Sequence, residues 1–242
     1  MFAVLELFER AERPMNALTI AKKLDLPTSS NFTLLKTMVT LGYLNFDQVN
    51  ETYFPTIRLS FLGHSFSQKL GHPSDIYQLV DRVRAATGET TGLSCENDVF
   101  SHLLRVRDSD LPNTYVLMEG DRRPLFACSP GIVLLGTKTN KEIARMAEKL
   151  TRRKSPQTER IDLLKTLALV ERVKGRDGVT HYDEFTQGVS MITWLLDKPS
   201  LKQPFVLFVS GPTKRIKAGE KRIIVAVDDI LSELKLKSST SS

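Results

Sequence analysis

Hydrophobic positions between Ala17 and Leu44 recur at helical spacing in two short runs, separated by a break at Asp25-Leu26-Pro27. In the first run Leu18, Ala21 and Leu24 fall at i, i+3 and i+6 and predict one apolar stripe, with Lys22 and Lys23 off it. Pro27 disfavours the helical conformation for Leu26, and Thr28 or Ser29 is placed to cap the next helix with a side-chain oxygen. That second helix is predicted to bury Leu34, Leu35, Met38 and Leu41. It would present Thr28, Ser29, Ser30, Asn31, Thr33 and Lys36 on its first turns. Gly42 ends it, as a residue able to take a positive φ. Beyond it, the β-prone runs 43–46 and 52–54 around Asp47–Glu51 predict a hairpin that carries Tyr53. Two helices and a hairpin in this order make a winged helix-turn-helix. A helix whose exposed half is small, polar and hydrogen-bonding suits a DNA major groove.

The pattern upstream predicts a helix over 1–12 with Val4, Leu5 and Phe8 inward, and a break at Pro14-Met15-Asn16. Downstream, 55–70 reads as a linking helix softened at Gly63, and Gly71-His72-Pro73 as punctuation between domains. The expected division is therefore 1–56 for the winged helix-turn-helix, 57–73 for the linker helix and 74–242 for a larger body. In that body the periodicity predicts helices at 75–87, 132–135, 140–150, 161–174 and 218–234. Strands are predicted at 89–95, 99–106, 115–118, 179–182, 189–196 and 204–209. A loop over 124–131, a basic connector over 151–158, a turn at Ser210-Gly211-Pro212 and a frayed tail from 235 complete the reading. Strands grouped with helices at both ends give an α+β class around a mostly antiparallel sheet.

Composition narrows the function classes. The chain has 242 residues, 41% hydrophobic and 26% charged, enough to fill two cores. No run approaches the roughly 20 apolar residues of a membrane-spanning helix. Met1 leads straight into an amphipathic segment with acidic residues rather than a signal peptide, so a cytoplasmic location is expected. The net charge of +6 suits a nucleic-acid partner. Residues 1–70, however, hold seven Lys/Arg against six Asp/Glu, only +1. The motif identifies the DNA-binding element; the charge does not.

Catalytic and metal chemistry find little support. Two cysteines, Cys95 and Cys128, and four scattered histidines make no metal pattern, so no metal or cofactor is expected. Ser129-Pro130-Gly131 lacks the frame of a nucleophile elbow. His181-Tyr182-Asp183 offers no assignable Ser or Cys nucleophile. The alternative kept open is a thiol-dependent small-molecule enzyme with a vestigial DNA-binding head, with Cys95 and Cys128 as small buried hydrophobes the bland counterpart. Lys22 and Lys23 read equally as phosphate contacts or solubilising charges. Phe32 reads equally as core or as a contact to a thymine methyl.

The order of short marks along the chain resembles the IclR-type bacterial transcription regulators, named for the isocitrate lyase regulator. The marks are Leu26-Pro27-Thr28-Ser29-Ser30 with Leu34-Leu35, Leu41-Gly42-Tyr43-Leu44, Thr87-Gly88-Glu89-Thr90, Pro124-Leu125 with Gly131, Glu184-Phe185 with Gly188-Val189, and Ser210-Gly211-Pro212. The resemblance implies a winged-helix head joined to a GAF-like α+β effector domain and a non-enzymatic regulator. It also implies homodimers, often paired into tetramers, whose affinity for double-stranded operator DNA is set by a small-molecule effector. Helix one and the linker helix are the dimerisation elements it implies. Its DNA-binding positions here are Lys22, Thr28, Ser29, Ser30, Asn31, Thr33, Lys36 and Tyr53. Its effector positions are Cys128, Ser129 and Gly131 in a loop offering backbone N–H groups, with His181, Met191 and Ser210 opposite. Pro130 removes one such N–H, and apolar Met191 and Phe208 make the expected pocket more apolar than that of a sensor of the smallest oxo acids.

Overall fold

The structure is a computed structural model of the chain and describes residues 1–70, 73–152, 161–197, 201 and 203–234. Most of the expected basic connector and the whole expected tail lie outside the described residues. The chain divides into two compact units, Met1–Leu70 and Gly71–Ser242.

The first unit runs α1 (Phe2–Ala11), β1 (Met15–Asn16), α2 (Ala17–Leu24), α3 (Thr28–Thr40), β2 (Leu44–Asp47), β3 (Thr52–Pro55) and α4 (Arg58–Leu70). Val4, Leu7 and Phe8 of α1 meet Ala17 and Ile20 of α2, Leu35 and Met38 of α3, and Leu44 and Tyr53 of the hairpin in one core. The stripe on α2 differs from the expected one. Ala17, Ile20 and Ala21 are inward, while Leu18 is 63% exposed. Both sets satisfy the helical period; the small alanines form the face that packs closely against α1 and α3. Leu41, expected inward, is 45% exposed because it lies past the end of α3 as its C-cap.

Two local expectations are also corrected. Met15 and Asn16 are not a plain break: they pair antiparallel with Tyr53 and Thr52 of β3, making a sheet in the order β1-β3-β2. Asn16 also caps α2, its side chain accepting the Thr19 N–H at 2.9 Å. On α3 neither Thr28 nor Ser29 caps; Pro27 occupies the N-cap position and no side chain bonds there. Gly42 does take the left-handed conformation at φ 75°. The helix α4 runs through Gly63 without interruption.

The second unit contains α5 (Pro73–Thr87), β4 (Thr90–Asn97), β5 (Phe100–Arg107), β6 (Arg122–Pro124), α6 (Ser129–Leu135), α7 (Asn140–Thr151), α8 (Leu163–Val173), β7 (Val179–Tyr182), β8 (Val189–Leu196), β9 (Phe205–Pro212) and α9 (Thr213–Glu233). Its strands form one antiparallel sheet in the order β6-β5-β4-β9-β8-β7. Strand alternation sorts side chains into two cores. Ile192, Trp194 and Leu196 of β8 and Leu207 and Val209 of β9 face α5 and α9. Val206 on the other face of β9 packs with α6 and α8, and Phe208 with Leu103, Val106 and Leu117. The class is α+β, as expected. Residues 115–118, expected as a strand, are irregular, and Ser210-Gly211-Pro212, expected as a turn, finish β9.

Glu89 locks these layers together. It is 1% exposed, and both its oxygens accept from Arg215 of α9, at 2.6 Å from Nε and 2.7 Å from Nη2. Gly211 makes room for it, since a Cβ there would lie 2.6 Å from Glu89 Oε2.

Candidate functional site

Two surfaces carry chemistry, one in each unit. In the first, α3 exposes Thr28, Ser29, Ser30, Phe32, Thr33 and Lys36. Thr33 Oγ1 donates back to the Ser29 carbonyl at 3.1 Å, leaving its oxygen as an acceptor. With no side-chain cap, the first N–H groups of α3 are open to an anion such as a DNA phosphate. Phe32, Thr33 and Lys36 form a shallow groove with Val39, Phe46 and Tyr53. Phe32, open to two readings from sequence, is 47% exposed. Lys22 and Lys23 are exposed on α2.

Two expected contact residues are buried rather than exposed. Asn31 is 1% exposed, and its Nδ2 donates to the Ala17 carbonyl at 2.8 Å, pinning α3 to the start of α2. It is a packing residue because position 31 falls on the Leu35–Met38 side of the helix. Tyr53 is 8% exposed, its ring 4.7 Å from that of Phe46, so it belongs chiefly to the core while also lining the groove. The hairpin tip is set by Asp47, whose carboxylate accepts from the N–H groups of Val49 and Asn50 and from the Asn50 side chain. These bonds, the side-chain one foremost, hold the Asp47 carboxyl below its usual range. The tip, 48–51, carries no Lys or Arg.

Asn31→Ala is therefore expected to destabilise the first unit by about 1–3 kcal/mol, by removing a buried hydrogen bond. It should weaken binding to operator and random DNA in equal proportion. A loss confined to the operator would return Asn31 to base reading.

The second surface is a cavity in the other unit, between the sheet face bearing Phe208 and the segment 127–130. It is narrow, with a cavity volume of about 50 Å³. Of the expected effector positions, Cys128, Ser129, His181 and Met191 line it together. Gly131 and Ser210 are not on its wall. Gly131 is a packing position, where a Cβ would lie 2.1 Å from the Leu125 carbonyl oxygen. Ser210 is buried, its Oγ without a protein partner. The expected set of loop N–H donors is also depleted. Pro130 has none.

Polar groups not expected at the pocket complete the wall: Ser101 on β5, Tyr115, Arg123 on β6, and Glu184, noted from sequence only as part of a family mark. Nothing in the local pattern marks the first three, since strand pairing alone brings β5 and β6 beside α6. Arg123 Nη2 donates to the Tyr115 hydroxyl at 2.9 Å. His181 Nδ1 lies 2.6 Å from Glu184 Oε2, and Arg172 Nη2 lies 2.5 Å from Oε1 of the same carboxylate. Burial lowers the His181 pKa, with Glu184 acting in the opposite direction, so the imidazole is neutral at pH 7. A carboxylate beside Nδ1 places the proton there and leaves Nε2 as an acceptor.

The thiol reading meets an obstacle here. Burial pushes the Cys128 thiol up to about 11, and burial followed by Glu96 raises Cys95. Neither is a thiolate at neutral pH. Among the described residues no group of three His, Cys, Asp or Glu is arranged to hold a metal ion.

Comparisons with known proteins agree with this geometry. Residues 1–48 match the family model described as the IclR helix-turn-helix domain. The HTH-type transcriptional repressor AllR of Salmonella typhi is 22% identical over 214 residues, covering 88% of this chain and 79% of the relative. An IclR homologue from Microbacterium hydrocarbonoxydans, solved with 4-hydroxybenzoate, superposes with a TM-score of 0.69 at 19% identity, covering 97% of each chain. The IclR of Thermotoga maritima superposes with a TM-score of 0.65 at 15% identity, over 98% of this chain and 97% of its own. The matched head, the relative along most of the length and the shared fold make the chain similar to the IclR-type DNA-binding transcription regulators.

Proposed function

We propose that the chain works as a homodimer whose two α3 helices enter successive major grooves of a pseudo-palindromic operator, with a small effector in the cavity modulating that affinity. The observation that carries the reading is the division of α3 into two faces. Thr28, Ser29, Ser30, Thr33 and Lys36 are outward, while Asn31, Leu35 and Met38 anchor the helix from behind. A rigidly seated helix with a small polar outer face is what base-edge recognition requires. Self-association is supported by apolar side chains left open on the same unit: Phe2 on α1, and Ile57 and Phe61 at and within α4, are 74%, 72% and 69% exposed. Pairing of dimers into tetramers extends the same reading. Among the described residues no helix is long and apolar enough to cross a membrane, which accords with work on DNA in the cytoplasm.

The effector acts through differential affinity for two arrangements of the DNA-bound and free protein, since equal affinity would shift nothing. The relative solved with 4-hydroxybenzoate supports a small organic molecule as the occupant and makes that compound a first probe.

Fluorescence anisotropy with the intergenic DNA upstream of the chain's own gene, against random DNA, tests the DNA reading. Lys36→Ala is expected to weaken binding to both DNAs and to reduce the slope of log K against log salt by about 1, as loss of one phosphate contact does. An unchanged salt slope would remove Lys36 from the interface. Native mass spectrometry of the same sample reads the stoichiometry; one protomer per operator would overturn the dimer.

A further inference from the structure

The positive charge of the chain is not where its candidate recognition helix is. Residues 1–70 carry only +1 of the net +6, and the hairpin tip 48–51 has no Lys or Arg. The remaining +5 lies in 71–242. Much of it falls in the first half of α9, where Lys214, Arg215, Lys217, Lys221 and Arg222 stand against Glu220 alone.

The fold sorts these charges. Arg215 turns inward and is neutralised by Glu89. Lys214, Lys217, Lys221 and Arg222 are exposed, and none of them has an ion pair among the described residues. Glu220 is turned to β7 instead, where its carboxylate accepts from the hydroxyls of Thr180 and Tyr182. Lys217 lies 4.9 Å over the Tyr182 ring, a contact that seats the ammonium and leaves its charge.

The order of charges along α9 runs against the preference of a helix. Cations stabilise a helix at its C-terminus and anions at its N-terminus. Here the cations come first, and Asp229 and Glu233 come last. Helix stability therefore does not explain the four cations. Packing does not either, since all lie outside the core that α9 makes with Ile216, Ile223, Val227 and Ile230. Their field adds to the positive end of the helix dipole and concentrates positive potential on this face.

The face has the dimensions of a nucleic-acid backbone contact. Lys214 and Lys221 lie two turns apart on the line that also holds Ala218 and Val225, with Lys217 and Arg222 to either side. From Lys214 to Arg222 the helix rises roughly 12 Å, at about 1.5 Å per residue. A DNA strand presents a phosphate about every 3.4 Å along its axis, so the face spans about three of them. A bilayer suits it less. Among the described residues Val225 is the large hydrophobic side chain that α9 exposes, with no aromatic ring or leucine to enter the acyl region.

We infer that this face of α9 is a second DNA contact, independent of sequence, which neutralises backbone phosphates of the duplex. The inference rests on the reading of the chain as a DNA-bound regulator. Phosphate neutralisation supplies essentially all of non-specific affinity and its salt dependence. With so little charge in the first unit, the exposed cations of α9 supply that part.

Fluorescence anisotropy of the full-length protein over a series of salt concentrations tests this, with the upstream intergenic DNA and with random duplex DNA. Lys214→Gln/Lys221→Gln/Arg222→Gln should weaken binding to both by roughly tenfold or more. It should lower the slope of log K against log salt by about 2–3, near 0.9 for each lost phosphate contact. The ratio of the two affinities should stay as it was. Lys214→Arg/Lys221→Arg should keep the slope. Lys141→Gln/Arg145→Gln/Lys165→Gln removes the same charge from exposed positions on α7 and α8 and should leave the slope unchanged. Melting of each variant reports that it is folded.

An unchanged slope in the α9 variant would overturn the inference. An equal fall in the α7 and α8 variant would do the same, by reducing the effect to net charge. Binding of phosphatidylglycerol vesicles or of polyglutamate through these residues, with DNA binding unaffected, would overturn it in favour of a membrane or an acidic protein. The two readings fail separately. A retained preference for the upstream DNA with no change in slope keeps α3 as the reader and sinks the α9 contact. A lowered slope in a chain that never distinguishes the two DNAs keeps the α9 contact and sinks the operator reading.

Discussion

Arg215→Met is expected to destabilise the effector unit by about 3–5 kcal/mol, the loss typical of a buried ion pair stripped of one partner. The size follows from which partner is left. The Glu89 side chain is 2% exposed and the Arg215 side chain 27%, so removing the arginine strands a carboxylate with no water to turn to. Glu89→Gln should cost distinctly less, because Arg215 retains its bond to the Pro112 carbonyl and a path to solvent. The same ordering sets Arg215→Met apart from a generic surface truncation. Urea unfolding followed by Trp194 fluorescence checks it, because the chain has one tryptophan and it is fully buried in the second unit. Equal losses for the two variants would show that the pair contributes packing rather than charge compensation.

Gly92→Ala is expected to abolish or sharply reduce ligand binding while leaving DNA binding to the first unit intact. Gly92 on β4 pairs with Phe208 on β9, and the Phe208 ring lies across it. A Cβ at Gly92 would come within 2.3 Å of the ring tip and 2.8–2.9 Å of its two flanking carbons. The ring must swing away, and the open side is the cavity it lines. Part of a phenyl ring swung into so narrow a cavity leaves little room for a ligand. Strain of this kind costs typically about 1–3 kcal/mol, so the variant should fold and melt a few degrees lower. Operator release by the effector would be lost at ordinary ligand concentrations. Gly92→Ala combined with Phe208→Leu, which removes the ring, should regain binding. Undiminished ligand binding in Gly92→Ala alone would mean that Phe208 has another place to go.

These two sites explain marks that sequence reading noted without assigning. Thr87-Gly88-Glu89-Thr90 and Ser210-Gly211-Pro212 lie more than a hundred residues apart, yet they form one contact, with the Glu89 carboxylate against Gly211. The expected turn at 210–212 is the end of a strand because those residues pair with β8 and, at Ser210, with β4. Gly131, expected to offer its N–H to a ligand, is instead a glycine because α6 packs against the Leu125 backbone.

Local periodicity and turn chemistry by themselves determined the helix-turn-helix, the hairpin around Asp47–Glu51, the α+β class and most strand and helix positions. They did so because apolar spacing, Pro27, Gly42 and Gly88 act over a few residues. Periodicity did not supply the six positions expected to meet an effector; the resemblance did, and four of them line the cavity. What periodicity left undecided is which of two compatible faces turns inward. On α2 the stripe through Leu18 and the one through Ile20 fit the same period, and packing against α1 and α3 chose the second. On α3, Asn31 is polar and near the helix start, which reads as exposed. Its burial depends on the Ala17 carbonyl, fourteen residues earlier, being there to accept its hydrogen bond. Arg123, Tyr115 and Ser101 carry no local signature at all. Only the antiparallel pairing of β5 with β6, and the fold of α6 against them, turns three scattered residues into one side of a cavity, because a ligand site is a property of strand order and register.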